Sequence, residues 1–293
     1  MSFVKRRIDL TFRMGTGDFG DGLPDTVTLT GLRVAATATK AGGVSMTNLD
    51  MRVFGMPLDV MNRLTILGKP LVDNRNNRVT VSAGDDEAGM AILFDGIIKE
   101  AWVDTRGAPN IAFMVTAFTG LIDGGKPAAP TSYKGAVDAA TAMAAIGARM
   151  TPPRTLENSG VSVQFASPYW SGTLNDQAFA VARDGHFEMI VEPDVIAIWP
   201  LGQSRQGDTA VVSAEQGMIG YPAHTDNGIA VQMLFNRQVR FGGRLYVTSI
   251  LKPATGAWHI FRVQHDLESE TPSGSWFTTV ECSLFGKELP IAG

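Results

Sequence analysis

The stretch that decides the fold is Gln216–Cys282, QGMIGYPAHTDNGIAVQMLFNRQVRFGGRLYVTSILKPATGAWHIFRVQHDLESETPSGSWFTTVEC. Four runs in it read as strands: Ala230–Phe235, Arg244–Ile250, Trp258–His265 and Trp276–Cys282. Between them lie Gly242-Gly243, Pro253-Ala254-Thr255-Gly256 and Pro272-Ser273-Gly274, the residue types that fit turns and interrupt longer elements. Successive side chains of a strand point to opposite faces, so Trp276, Thr278, Val280 and Cys282 share one. That placement makes the single cysteine a small buried hydrophobe rather than a nucleophile. The stretch reads as a β-rich module of the kind that joins other protein chains.

Working back toward the N-terminus, the polar run after Pro200 through Asp208 separates this module from a different composition. Thr173 with Asp176 three residues on is a capping pattern. Leu174, Ala178 and Val181 form an apolar stripe, and Gly185 stands at the C-cap. A helix follows from these signals. His186–Val191 and Val195–Trp199 are then two strands across the turn Glu192-Pro193-Asp194, residues 151–172 read as irregular, and the Ala-rich, Pro-free run Ser132–Met150 reads as helix. Gly124–Pro130 is a Gly/Pro/Ala linker.

The first 120 residues alternate. Ile8, Leu10, Phe12 and Met14 interleave with Asp9, Thr11 and Arg13, and Leu49, Met51 and Val53 repeat the pattern. Leu32, Val34, Ala36 and Ala38 do so more weakly before a Gly42-Gly43 turn. Val79 and Val81, Met90–Val103 and Ile111–Phe118 add further strands, while Leu58, Met61 and Leu64 mark a short helix in Pro57–Leu67 that could plug a barrel mouth. The chain thus divides into residues 1–124, a β module; 125–204, a small helix-plus-hairpin α/β domain; and 205–293, a second β module. Its fold class is mainly β (α+β).

The totals agree with a structural part. The chain has 293 residues, enough for two or three small domains. Its charged fraction of 18% is below the roughly 25% of soluble domains, which fits either surface covered by partner chains or a well-packed monomer. A net charge of −4 gives no nucleic-acid footprint, and Lys5-Arg6-Arg7 reads as a solvated strand edge. No run reaches the length of a membrane span and no signal-peptide core opens the chain, so synthesis and retention in a cytoplasm is expected.

Chemical motifs are scarce. Gly15-Thr-Gly17-Asp-Phe-Gly20 matches a dinucleotide fingerprint, but Asp21-Gly22-Leu23-Pro24-Asp25 cannot open the helix such a site requires, which leaves a strand connection. His186, His224, His259 and His265 show no ligand spacing. His265-Asp266 reads as a strand end closing a turn, with no presented nucleophile for a triad. Asp85, Asp86 and Glu87, and Glu268 and Glu270, read as solvated turns. Asp95-Gly96 reads as a bulge or hairpin inside a strand run. No catalytic, cofactor-binding or metal residues are assigned, and no cofactor is expected.

The C-terminal third also carries an ordered string: Glu215–Pro222 (EQGMIGYP), Asn227–Val231 (NGIAV), Leu234–Asn236, Gly242–Val247 (GGRLYV), Trp258–Val263 (WHIFRV), His265–Leu267, Pro272–Trp276 (PSGSW) and Thr279–Cys282 (TVEC). This string resembles the baseplate hub proteins of bacteriophage tails, the late-control-type family related to the N-terminal part of type VI secretion spike proteins. It is densest over the last eighty or so residues and runs more loosely back to Val195–Trp199 and the helix at Thr173. The resemblance implies two tail-tube-like β-barrels, at 1–124 and 205–293, joined by the α/β domain. It implies a homotrimeric ring that adapts a six-fold tail tube to a three-fold central spike and lines the ejection channel. The implied partners are tube, spike, tape measure and baseplate wedge proteins, and the implied location is the virion tail, assembled in a bacterial host. No segment is left over for an attached lysozyme or peptidase. The alternatives are a one-barrel tube or distal-tail protein, a tail-associated cell-wall hydrolase, or a carbohydrate-binding module with exposed aromatics.

Overall fold

The structure is a computed structural model that describes residues 5–20, 22–42, 46–65, 76–87 and 89–284. It is mainly β and divides into two compact units. One comprises residues 1–39, 48–121 and 265–276, the other residues 40–47, 122–264 and 277–293.

The first unit is built from β1 (Arg6–Arg13), β2 (Thr26–Leu29), β3 (Arg33–Ala41, of which the last two residues fall in the second unit), β4 (Asn48–Phe54), β5 (Arg78–Asp85), β6 (Gly89–Asp104) and β7 (Ala112–Phe118). Their order in the sheet is β3-β4-β7-β6-β5-β1-β2, and the segment 265–269 lies on the other side of β3. The pairings β1–β2, β1–β5, β3–β4, β4–β7, β5–β6 and β6–β7 are antiparallel. The alternation seen in the sequence is the reason. Ile8, Leu10 and Phe12, then Val34, Ala36 and Ala38, then Leu49, Met51 and Val53 are all buried, as are Val79, Val81, Phe113 and Val115. Fully burying an aliphatic side chain contributes about 1.5–3 kcal/mol, so a one-residue slip of any strand would exchange this whole set for its polar neighbours.

Several expectations need correction here. The Asp95-Gly96 pair lies in an unbroken strand, and bulges flank it where the register shifts at Leu93 and at Lys99. The short helix runs Leu58–Leu64, but it buries Val60, Met61 and Leu64 while Leu58 is exposed. Residues 66 and 67 lie outside the described residues, as do Gly43 of the Gly42-Gly43 turn and Asp21 of the Gly-rich connection.

The second unit holds a six-stranded sheet in the order Ala210–Val212, Arg244–Val247, Gly256–Ser269, Trp276–Leu284, Gly228–Leu234, Met218–Thr225, of which 265–269 and Trp276 belong to the first unit. Its two edge strands, Ala210–Val212 and Met218–Thr225, are neighbours in the chain. The turn between them is tied by the backbone N–H groups of Gln216 and Met218 donating to the Ser213 carbonyl. All six strands feed a single apolar cluster that includes Val212, Met218, Val231, Leu245, Ile260 and Val280. Among the described residues, the hydrogen-bonded ladder of neither unit closes on itself.

A second cluster in this unit is formed by Met143, Ile146, Val181, Ile196 and Ile198 with Trp170. The helix Leu174–Asp184 has the full capping box at Thr173 and Asp176 and ends at Gly185, as its sequence signals require. The run 132–150 is only partly helical. Asp138 accepts a hydrogen bond from the Thr141 N–H and starts the helix at Ala139, while Ala136–Asp138 pairs with Gln164–Ala166. Residues 151–172, read as irregular, contain the short strands Thr155–Asn158, Gln164–Ala166 and Tyr169–Trp170. Thr155–Asn158 runs parallel to Val195–Pro200. The linker opens with a helical turn, Leu121–Gly125. The strands Ala210–Val212 and Met218–Thr225 carry no clean alternation and were not legible.

Candidate interaction surfaces

The residues singled out in the sequence are placed apart from one another. Gly15–Gly20 connects β1 to β2, with Phe19 buried beneath it, and no helix follows. Asp95 is held by the Arg78 guanidinium through both oxygens, one at 2.6 Å, and accepts from Thr80 Oγ1 at 3.0 Å. It is therefore a cross-strand ion pair of the sheet. His265 and Asp266 do not close a turn: they lie within the strand Gly256–Ser269, where His265 is buried and Asp266 accepts from Thr37 Oγ1 at 2.8 Å. Glu268 accepts from the Ser275 N–H at 3.1 Å, and Glu270 pairs with Lys5 at 2.8 Å. Glu87 donates its N–H to Asp85 in an exposed turn. Cys282 is fully buried, and burial pushes its thiol far above the usual range. Among the described residues no group of three or more His, Cys, Asp or Glu side chains could hold a metal ion, and no helix is long and apolar enough to cross a membrane.

What the sequence did not reveal is the buried charge of the second unit. Asp123 and Arg154 are both 2% exposed, 2.6 Å apart, and each makes a further bond, Asp123 from the Thr151 N–H and Arg154 to the Glu192 carbonyl. Arg205, also 2% exposed, grips Glu157 at 2.6 and 2.8 Å and Glu192 at 2.7 Å. Burial by itself would raise the Glu192 pKa. The hydrogen bond and charge of Arg205 overcome it and hold the carboxyl below the usual range. These partners are up to 48 residues apart, so no local spacing announces them.

A third polar group sits behind a cleft of about 840 Å³ whose walls include Phe179, Ala180, Phe187, Met189, Phe241 and Phe261. Glu188 is on its wall. Its Oε2 accepts from the Trp199 indole at 2.5 Å, and His259 Nε2 lies 3.2 Å away without the alignment of a hydrogen bond. On the far side of the ring, His259 Nδ1 is 3.3 Å from Ser204 Oγ. The Ser–His–Glu order resembles a hydrolytic triad, but Ser204 is buried and is not among the residues that line the cleft, whereas a nucleophile needs access to substrate.

Exposed apolar side chains are concentrated in the second unit, and several belong to edge strands. Val211 and Tyr246 lie side by side in register, and Ile219 and Tyr221 stand on the edge strand Met218–Thr225. That edge carries a register shift after Ile219 and a proline at 222, features that blunt indiscriminate strand addition. Of the aromatics on alternating strand positions near the C-terminus, Trp258 and Trp276 are buried, whereas Phe261 and Phe277 are half-buried.

No curated protein matches the chain in sequence. A family model described as baseplate hub gp41 matches residues 8–282. Among solved structures, the tail protein from Neisseria meningitidis MC58 aligns over 94% of this chain and 96% of its own, with a TM-score of 0.58 at 10% identity. The E. coli c3393 protein, described as a component of the type VI secretion system with structural similarity to T4 tail proteins gp27 and gp5, aligns over 96% of this chain and 80% of its own (TM-score 0.59, 10% identity). The 43 kDa tail protein of prophage MuSo2 from Shewanella oneidensis aligns over 94% and 98% (TM-score 0.56, 8% identity). At these identities the likeness establishes the fold.

Proposed function

The chain belongs to the baseplate hub gp41 family, and from that premise we propose that it is a structural hub of a phage or phage-like tail, without catalysis. Three copies form a ring that adapts the six-fold tail tube to a three-fold central spike and lines the ejection channel. Each copy supplies two tube-like barrels, the first from residues 1–124 and the second from 205–293, with 125–204 as the small α/β domain. The partners are a tube protein, a spike protein, a tape measure and baseplate wedge proteins, in the tail of the virion.

The observation that carries this reading is the family match from residue 8 to residue 282, over a chain whose two units are each built on a mainly antiparallel sheet with a buried apolar face. In the second unit the edge strands are consecutive in the chain and share one core, which favours a rolled sheet. In the first unit the segment 265–276 supports closure. It lies beside β3, and it also meets the start of β1 through Lys5–Glu270 and through Arg6, which donates to the Gly274 carbonyl and lies over Trp276. Mass measurement of the purified chain, followed by imaging of the assembly, tests the proposal. A trimer supports it, and a monomer or a hexamer at all concentrations overturns it.

A further inference from the structure

We propose that the cleft of the second unit is a recognition site for a basic side chain, Lys or Arg, flanked by apolar residues of a partner polypeptide. The inference does not depend on ring geometry.

Charge accounting comes first. The ionisable groups on the cleft are Asp176, Arg183, Glu188, Arg262 and Glu281, which sum to one negative charge. Arg262 pairs with Glu281 at 2.9 Å, and Arg183 lies 3.2 Å from Asp184, which is not on the cleft wall. Asp176, which accepts from the Thr173 N–H in the capping box, and Glu188, whose nearest partners are an indole and an imidazole, then carry the remaining negative charge.

Positioning is the second argument. A carboxylate beside aromatic side chains is costly unless something fixes and hydrogen-bonds it. The buried Trp199 indole donates to one oxygen of Glu188, and the buried His259 ring, with Ser204 behind it, lies beside that oxygen. The carboxylate thereby satisfies the buried indole N–H while Glu188 still lines the cleft. A concave apolar site with a few fixed polar groups is the ordinary form of a ligand site. The matching ligand puts apolar atoms against Phe179, Phe187 and Phe261 and a cationic donor on Glu188.

The test uses the full-length chain labelled with 5-fluorotryptophan, the Trp199 signal being assigned with Trp199→Phe. Two capped peptides, Ac-Gly-Leu-Lys-Phe-Gly-NH2 and its twin with Gln for Lys, are titrated. The Lys peptide is expected to shift the Trp199 fluorine resonance saturably and to bind about tenfold more tightly than the Gln peptide, as a charge-assisted bond implies. Glu188→Gln should bring the two affinities together. Because that change could disturb the Trp199 contact, Phe179→Ser provides a second arm and should weaken both peptides with Glu188 intact. No saturable shift at millimolar peptide, equal affinities in the wild type, or an unaltered Phe179→Ser variant would each overturn the site.

Discussion

The two units solve the same problem with different materials. The first buries an apolar set supplied by alternation, strand after strand, and its interior ionic feature of note, Arg78–Asp95, is a cross-strand pair close to the surface. The second buries one ion pair whole, Asp123 with Arg154, and a further buried guanidinium, Arg205, between the part-buried Glu157 and Glu192. The difference teaches what each kind of core costs and specifies. An apolar face tolerates exchange of like for like. A buried charge is stable only with its partner in place, so it fixes one arrangement of distant segments.

The largest expected effect follows from that contrast. Arg205→Ala should destabilise the second unit by about 3–5 kcal/mol, because it leaves two carboxylates unmatched, and Asp123→Ala should act similarly by stranding Arg154. Chemical denaturation followed by tryptophan fluorescence measures this. A loss below about 1 kcal/mol would erase the distinction between the units. In the first unit, Leu10→Ala should cost about 2–5 kcal/mol through the cavity it opens, whereas Leu10→Met should cost less than about 1.5 kcal/mol. No apolar exchange at Arg205 alone should be tolerated in the same way.

Titration sharpens the comparison further. Glu192 has a lowered pKa in the folded chain, so its contribution to stability is present above the ordinary Glu value of about 4.3 and is lost as pH falls through and below it. The unfolding free energy should therefore fall as pH drops below about 5, and Glu192→Gln should flatten that slope. An unchanged slope would mean that the Arg205 contact does not set the protonation of Glu192. Next in size is Thr173→Ala, which removes the helix cap and should cost about 1 kcal/mol in thermal unfolding. Smallest is Cys282. Being buried with a raised pKa, it should react with a thiol reagent only at the rate of unfolding, and rapid modification of the native chain would contradict its burial.

These effects also mark what the sequence could say. Strands with one buried face and one wet face were legible, because Ile8-Leu10-Phe12 and Trp276-Thr278-Val280-Cys282 write their period into the chain. The helix at Leu174 was legible through its cap and its Gly185 stop. Three- and four-residue strands such as Thr155–Asn158 were not, since their partner is some forty residues away and supplies the burial. The same distance hid the polar group behind the cleft: Glu188, Ser204 and His259 become neighbours only when the second unit folds. The Ala-rich run misled by composition, because Asp138 starts its helix seven residues late.

Electron microscopy of the assembled particle tests the central claim most directly. The account predicts a three-fold ring with six barrel densities, two from each chain. A six-fold ring with one barrel per chain, or a chain that remains monomeric in the presence of its tail partners, would contradict it.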